Sequence, residues 1–348
     1  MNAVSISGTG IGQSFSPYIV AELSANHGGS LDQALKVMDA AAAAGADAIK
    51  LQTYTPDTLT IDHHGPGFQI ASGLWKGRSL YELYAEAHTP WEWHSALFAR
   101  GRELGVSVFS SPFDDSAVDF LERLQAPAYK IASFEMVDLQ LIRRVAKTGK
   151  PVVMSTGMAS VEEIEEAVDA FREAQGTELI LLHCVSGYPT PIGQSNLRRI
   201  PILRDRFECA IGLSDHTPGI DVSVAAVALG ACFIEKHFTL SRADGGPDAS
   251  FSLEPGEFAA LCSAARNAFA ALGDGQEARS AVEDGSMAFR RSLYVVKDVQ
   301  VGETLTTDNV RSIRPGYGLA PKHLPALIGR RAKQLIVRGT PLDWRLID

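Results

Sequence analysis

Two histidines, His216 and His237, close consecutive short apolar runs, Ala210–Ser214 and Phe233–His237. If those runs are neighbouring strands, the two imidazoles sit side by side. Two neutral imidazoles with a carboxylate or water make a divalent metal site. A strand-end histidine in a purely hydrogen-bonding role is the alternative, and the residues alone leave both open. His27 and His183 are placed to join or orient such a site, whereas His63, His64, His88, His94 and His323 read as loop or surface residues. Three lysines, Lys50, Lys130 and Lys236, lie inside apolar runs of a chain with net charge −9. Point charges beside the hydroxyls of Ser111, Ser133, Ser155 and Ser214 suit a phosphate. The lysines could instead pair with Glu22, Glu135 and Glu235. The two roles are compatible, with the carboxylates tuning the lysines.

The elements that must carry these residues are legible as an alternation. Apolar runs recur at Tyr18–Leu23, Ala48–Thr53, Val106–Ser111, Tyr129–Ser133, Val152–Ser155, Leu179–Val185, Ala210–Ser214 and Phe233–His237. They show little strict alternation, as strands covered on both faces do. Helical patterns separate most of them. Ser30-x-x-Gln33 and Ser160-x-x-Glu163 read as capping boxes. Thr89-Pro90-Trp91-Glu92 reads as a start with Thr at the N-cap, Pro at N1 and Glu at N3. Further helices are expected over Ser116–Leu124, Leu139–Lys147, Asn196–Asp205, Gly219–Leu229 and Glu257–Leu272. Eight such units over about 270 residues predict an α/β fold, a (β/α)8 TIM barrel. A doubly wound sheet is the alternative, but it usually carries G-x-G-x-x-G after its first strand. Here that turn is Leu23-Ser24-Ala25-Asn26-His27-Gly28-Gly29.

Polar residues stand at all eight strand ends, on the face where barrels build their sites. Packing alone does not explain so many, because each buried polar group needs partners. The span 55–88 after the second strand is long for a connection and is expected to be functional. Residues 1–272 are assigned to the barrel, 273–286 to a polar linker and 287–348 to a small β-rich domain. A domain of that size is marginal alone and should pack on a barrel or on a neighbouring chain.

Composition excludes several classes. The chain of 348 residues is 45% hydrophobic and 21% charged, an ordinary globular balance. Asp and Glu number 41 against 32 Lys and Arg, which disfavours nucleic acid and anionic membranes as partners. Four scattered cysteines without C-x-x-C, and an N-terminus lacking a basic and an apolar signal region, point to a reduced, cytoplasmic protein. No apolar run approaches the ~18 residues of a membrane span.

The stretches AELSANHGGS, GADAIKLQT, FSSPFD, YKIAS-x-E, MSTGMAS, HCVSGYPTP, IGLSDHT, IEKHF and RPGYGLAPKHL resemble the sialic acid synthase family over nearly the whole chain. IGLSDHT together with IEKHF is the specific combination. Within the family, IKLQTYTPDTLT and GLWKGRSLYELYAEAHTPWEWH resemble the branch that makes pseudaminic acid. Ser186 stands where the sialic acid synthases usually carry Asn, which argues against N-acetylmannosamine as substrate.

The resemblance implies a barrel followed by an antifreeze-like (SAF) domain, and a metal-dependent condensation of phosphoenolpyruvate (PEP) with a diacetamido-trideoxy sugar. It implies that His216 and His237 hold the metal, Mn2+ foremost, with Mg2+ or Co2+ as substitutes. It implies that Lys50, Ser111, Lys130, Ser133, Ser155, Ser186 and Ser214 hold PEP. Gln52, Tyr54, Tyr188 and Asp248 would contact the sugar, and Glu22 and Glu135, with Lys50 and Lys130, would serve catalysis. It further implies a domain-swapped homodimer in which Arg314 reaches the other subunit's site. For the sugar, the loop residues Leu74, Trp75, Leu80 and Tyr81 are the expected apolar contact. The competing expectations are a legionaminic or N-acetylneuraminic acid synthase, and a non-catalytic sugar-phosphate-binding protein.

Overall fold

The computed structural model describes residues 3–276 and 279–348, so residues 277 and 278 of the expected linker lie outside the described residues. The chain divides into two compact units, Met1–Gly273 and Asp274–Asp348.

The first unit opens with a hairpin, β1 (Val4–Ile6) and β2 (Thr9–Ile11). Eight parallel strands follow: β3 (Tyr18–Glu22), β4 (Ala48–Thr53), β5 (Ser107–Pro112), β6 (Tyr129–Ile131), β7 (Val152–Ser155), β8 (Leu179–Cys184), β9 (Ala210–Asp215) and β10 (Phe233–His237). They close into a barrel in sequence order, with β10 pairing back to β3. Each strand lies within about two residues of its expected run.

The period-two geometry of a strand sorts the side chains. Tyr18, Val20, Ala48, Phe109, Ala128, Val153, Ile180, Leu182, Ala210 and Phe233 form an apolar cluster inside the barrel. Val4, Ile6 and Ile11 join it, so the hairpin, which the sequence reading did not anticipate, covers the apolar interior. Gly212 is required there: a Cβ would stand 2.3 Å from the Phe233 carbonyl oxygen and 2.6 Å from Leu182. The same inward parity, continued up each strand, reaches Glu22, Lys50, Gln52, Ser111, Lys130, Ser155, Cys184, Ser214, Glu235 and His237. The opposite parity packs against the helices in the main core.

Helix starts show which local signals decided the structure. Ser160 and Glu163 form the expected capping box, with backbone-to-side-chain bonds of 3.2 and 2.8 Å. Helix Leu31–Ala43 is capped by Ser30, which accepts from the Gln33 N–H. The helix after Thr89 begins one residue later than expected, over Trp91–Leu104 with Pro90 at its N-cap. Pro90 has ψ 131°, outside the helical range, so Thr89 cannot cap. The helix expected from Asn196 runs over Arg199–Phe207, because Asn196 takes a left-handed φ of 44° in the preceding turn. In the second unit Ser292–Val295 pairs antiparallel with Val310–Ile313, further antiparallel bridges such as Val299 with Ile336 join it, and Leu293, Val295, Val299, Leu305, Val310 and Leu327 lie in its core.

Candidate active site

Above the apolar layer, the inward parity turns polar, and these side chains form one connected system. Lys50 lies 2.9 Å from Glu22 and 3.4 Å from Glu235, and Lys130 lies 3.6 Å from Glu235. Ser214 donates to the same Glu235 oxygen at 2.9 Å. Gln52 donates to Glu22 at 3.0 Å and to Ser24 at 2.9 Å, and Ser24 donates to Asp248 at 2.5 Å. All but Gln52 are buried.

Charge is unevenly held in this layer. Burial and the Glu235 carboxylate push Glu22 above the usual carboxylate range despite Lys50. For Glu235 the cost of burial is outweighed by Lys130 and Lys50, which hold it below that range. Glu135, on the turn after β6, is pushed up to about 7 by burial, and its Oε2 has no hydrogen-bond partner among the described residues. Burial lowers Lys130 from the ordinary lysine value, against the pull of Glu235. Two lysines thus share one carboxylate, Glu235, in this layer of an acidic chain.

Hydroxyls surround that charge. Ser111 Oγ and Ser155 Oγ are buried without a hydrogen-bond partner among the described residues, as buried polar groups rarely are. Ser133 and Ser186 meet over Gly157: a Cβ there would stand 2.4 Å from Ser133 Cβ and 2.9 Å from Ser186 Oγ. Gly157 has φ 42°, so both its shape and its lack of a side chain open this cradle.

The histidines close the layer. The His216 and His237 ring centroids are 5.4 Å apart. His216 Nδ1 lies 3.1 Å from the Val185 carbonyl oxygen, which leaves Nε2 as the lone-pair nitrogen. His237 Nδ1 lies 3.8 Å from Asp248 and has no hydrogen-bond partner among the described residues. Burial and the nearby cations keep His237 neutral, the form that binds metal. No group of three or more His, Cys, Asp or Glu is arranged to hold a metal among the described residues. The protein's own donor set is thus two imidazoles, and it fits a divalent ion completed by water or substrate. The Tyr188 ring lies 4.4 Å from His216, tilted by 50°, and Phe251 lies 4.9 Å from His237.

Several expected residues lie elsewhere. Lys236 has the outward parity and pairs with Asp215 at 2.8 Å, its side chain wholly buried, so it faces no phosphate. His183 points outward to the Ser195 carbonyl at 2.6 Å, and His27 lies 3.3 Å from the Ala87 carbonyl, so neither joins the pair. His94 is not a surface residue but is buried, 2.8 Å from Thr53 Oγ1. Tyr54 is buried against Tyr84 and Phe113.

In the span 55–88, only Trp75 of the four expected loop residues reaches the aromatic cluster. It lies 5.8 Å from Tyr188 and donates to the Pro247 carbonyl at 3.0 Å. Tyr81 instead donates to Asp57, and Leu74 is half exposed. Arg314 belongs to the second unit, where with Arg290, Arg291, Ser286, Phe289 and Pro321 it lines an open surface groove. Ser24 and Gly157 were not singled out as site residues by the sequence, and Glu235 was offered there only as a partner of the lysines. Inward parity two residues before His237 was the available signal for Glu235.

Comparison with known proteins agrees with this architecture. The NeuB family profile matches residues 37–277 and the SAF domain profile residues 290–347. The chain is 47% identical over 325 residues to a pseudaminic acid synthase of Campylobacter jejuni, covering 93% of this chain and 95% of that one. The N,N'-diacetyllegionaminic acid synthase of Campylobacter jejuni is more distant, 35% identical over 90% of this chain and 95% of its own. Among solved structures, the N-acetylneuraminic acid synthetase of Leptospira borgpetersenii matches with TM-score 0.74 and 33% identity, over 82% of this chain and 95% of that one. With its parallel barrel, its polar inner layer and its second domain all accounted for, the chain belongs to the NeuB family and carries a C-terminal SAF domain.

Proposed function

We propose that this chain is a pseudaminic acid synthase. It condenses PEP with the open-chain form of 2,4-diacetamido-2,4,6-trideoxy-L-altrose and water, giving pseudaminic acid and phosphate. The observation that carries this reading is the pair of buried lysines, Lys50 and Lys130, with the unpartnered hydroxyls of Ser111 and Ser155, in the same layer as a pair of buried imidazoles. Greater identity to the pseudaminic than to the legionaminic acid synthase supports the choice of sugar.

Lys50 and Lys130 offset the charge of the PEP phosphate and carboxylate, and Ser111, Ser133, Ser155, Ser186 and Ser214 donate to their oxygens. The C3 carbon of PEP bonds to the sugar aldehyde carbon, water adds at C2, and phosphate leaves with its bridging oxygen. Glu22 and Glu135, both inclined to be protonated near neutrality, hold protons for the aldehyde oxygen and the leaving phosphate. Ionised Glu235 faces the positive charge that develops at C2. Gln52, Asp248 and Tyr188 orient the sugar, and Trp75 closes over it from the loop. His216 and His237 would hold a divalent ion, Mn2+ foremost, which when bound supplies Lewis-acid polarisation of the aldehyde.

We further propose a domain-swapped homodimer in the cytoplasm. Phe134, Val137, Met158 and Ile192, on loops that follow strands β6, β7 and β8, are each more than half exposed, an apolar rim that favours a cover. No helix among the described residues is long and apolar enough to cross a membrane, and all four cysteines are free, in keeping with a reducing compartment.

The test is phosphate release from PEP with Mn2+, offering the altrose derivative, N-acetylmannosamine and the legionaminic acid precursor separately. Release with the first alone is expected. Release with another sugar would keep the chemistry and overturn the substrate. No release with any would favour a binding protein.

A further inference from the structure

We infer that Lys236 is a positioning residue for the histidine pair, a bracket that holds His216 in place from the outer side of the barrel. The inference rests on reading His216 and His237 as metal ligands. Lys236 Nζ donates to Asp215 Oδ2 at 2.8 Å and to the Thr217 carbonyl at 2.6 Å. These are the residues immediately before and after His216. Lys236 is itself the residue immediately before His237, and its backbone is in register with Asp215 across β9 and β10. One ammonium thus ties the chain on both sides of one imidazole to the strand that carries the other.

The rest of the arrangement tightens the same turn. Asp215 Oδ1 accepts from both the Thr217 N–H and the Thr217 hydroxyl at 2.8 Å, which fixes the bend in which His216 stands. Asp215 Oδ2 also accepts from Ser223 at 2.6 Å, on the covering helix. His216 contributes its own carbonyl, which accepts from the Thr190 N–H at 3.0 Å. The side chains of Lys236 and Asp215 are 0% and 1% exposed, so no solvent competes for these bonds. A buried ion pair is weak evidence for stability, because desolvation cancels much of its attraction. Its use here is geometric. Two ligands alone bind an ion weakly unless their spacing is set beforehand, and outer partners of metal ligands set it.

The experiment measures Mn2+ binding to the metal-free full-length chain by electron paramagnetic resonance of the free ion, and PEP binding by calorimetry. Lys236→Met is expected to raise the Mn2+ dissociation constant by ~10–100-fold while PEP affinity stays within about threefold. That variant leaves Asp215 charged and buried, so Asp215→Asn with Lys236→Met, which removes both charges, carries the test if the single variant does not fold. Ser223→Ala weakens the same carboxylate without releasing the bracket, and is expected to bind Mn2+ as the parent does. Parent-like Mn2+ affinity in a folded Lys236 variant overturns the bracket and leaves the histidine pair intact. Equal losses of Mn2+ and PEP overturn it as well, since they report general collapse. A parent chain that binds no Mn2+, or a His216→Ala variant that binds it unchanged, removes the metal reading and the bracket with it.

Discussion

Lys50 is the charge on which phosphate binding turns. It touches both carboxylates of the inner layer, at 2.9 Å and 3.4 Å, and a charge-assisted bond of this kind is worth ~1.5–3 kcal/mol. Lys50→Ala is therefore expected to raise the KM for PEP by ~10–100-fold and to leave the KM for the sugar within about threefold. Steady-state kinetics with each substrate varied in turn decides it, and equal losses would remove the phosphate role. Glu135 permits a test by pH. Burial raises its folded pKa to about 7 from the ordinary 4.5. The folded state then binds a proton more tightly than the unfolded one. Its contribution to stability is present below the ordinary value and is lost as pH rises through about 7. Glu135→Gln is expected to flatten the fall in stability between those two values, as read by denaturant unfolding across the range. An unchanged slope would mean that Glu135 ionises as a solvated carboxylate. The types and identities of these residues were legible from their chain positions. Their pairing was not, because which carboxylate faces which lysine depends on strands far apart in sequence.

At the scale of elements, period-two alternation does most of the placing. Each barrel strand contributes apolar residues low and polar residues high on one face, and that face was recoverable from parity once the strand limits were known. Lys236 shows the consequence of a single step. One residue away from His237, it lies on the other side of the sheet, bonded to Asp215 and the Thr217 carbonyl instead of a phosphate. Loops obey no such rule, and the cradle over Gly157 depends on two turns meeting. Gly157→Ala would bring a Cβ to 2.4 Å from Ser133 at a φ of 42°. Left-handed strain alone costs ~1–2 kcal/mol in a residue with a side chain. The variant is expected to lose PEP affinity ~10-fold or more while Mn2+ binding persists, since the displaced hydroxyls belong to the anion and not to the imidazoles. Calorimetric titration with each ligand is the check, and parent-like PEP binding would remove Ser133 and Ser186 from the anion site.

At the scale of the molecule, the two units pose a question of assembly. The second unit carries Arg314 in an open surface groove with two further arginines, and a unit of its size buries little core by itself. Exposed apolar residues ring the strand-end loops of the first unit. A swapped homodimer satisfies both, and it predicts complementation. Arg314→Ala and His237→Ala are each expected to be inactive alone. Mixed and reassociated, they should recover up to about one quarter of parental activity, as random pairing leaves one intact site in half of the dimers. Mixed dimers that form, by mass, and remain inactive would place Arg314 in service of its own chain.

The sequence by itself determined the barrel, because burial of strands on both faces and helix capping are local demands written residue by residue. It determined the chemical repertoire for the same reason: lysines and histidines inside apolar runs have few physical explanations. Only the tertiary structure decided which of them cooperate. Closing β10 onto β3 brought Glu235, on the last barrel strand, within 3.4 Å of Lys50, on the second. Barrel closure is a long-range event, and the contacts it creates depend on strand register and side-chain direction, which no local run of residues specifies.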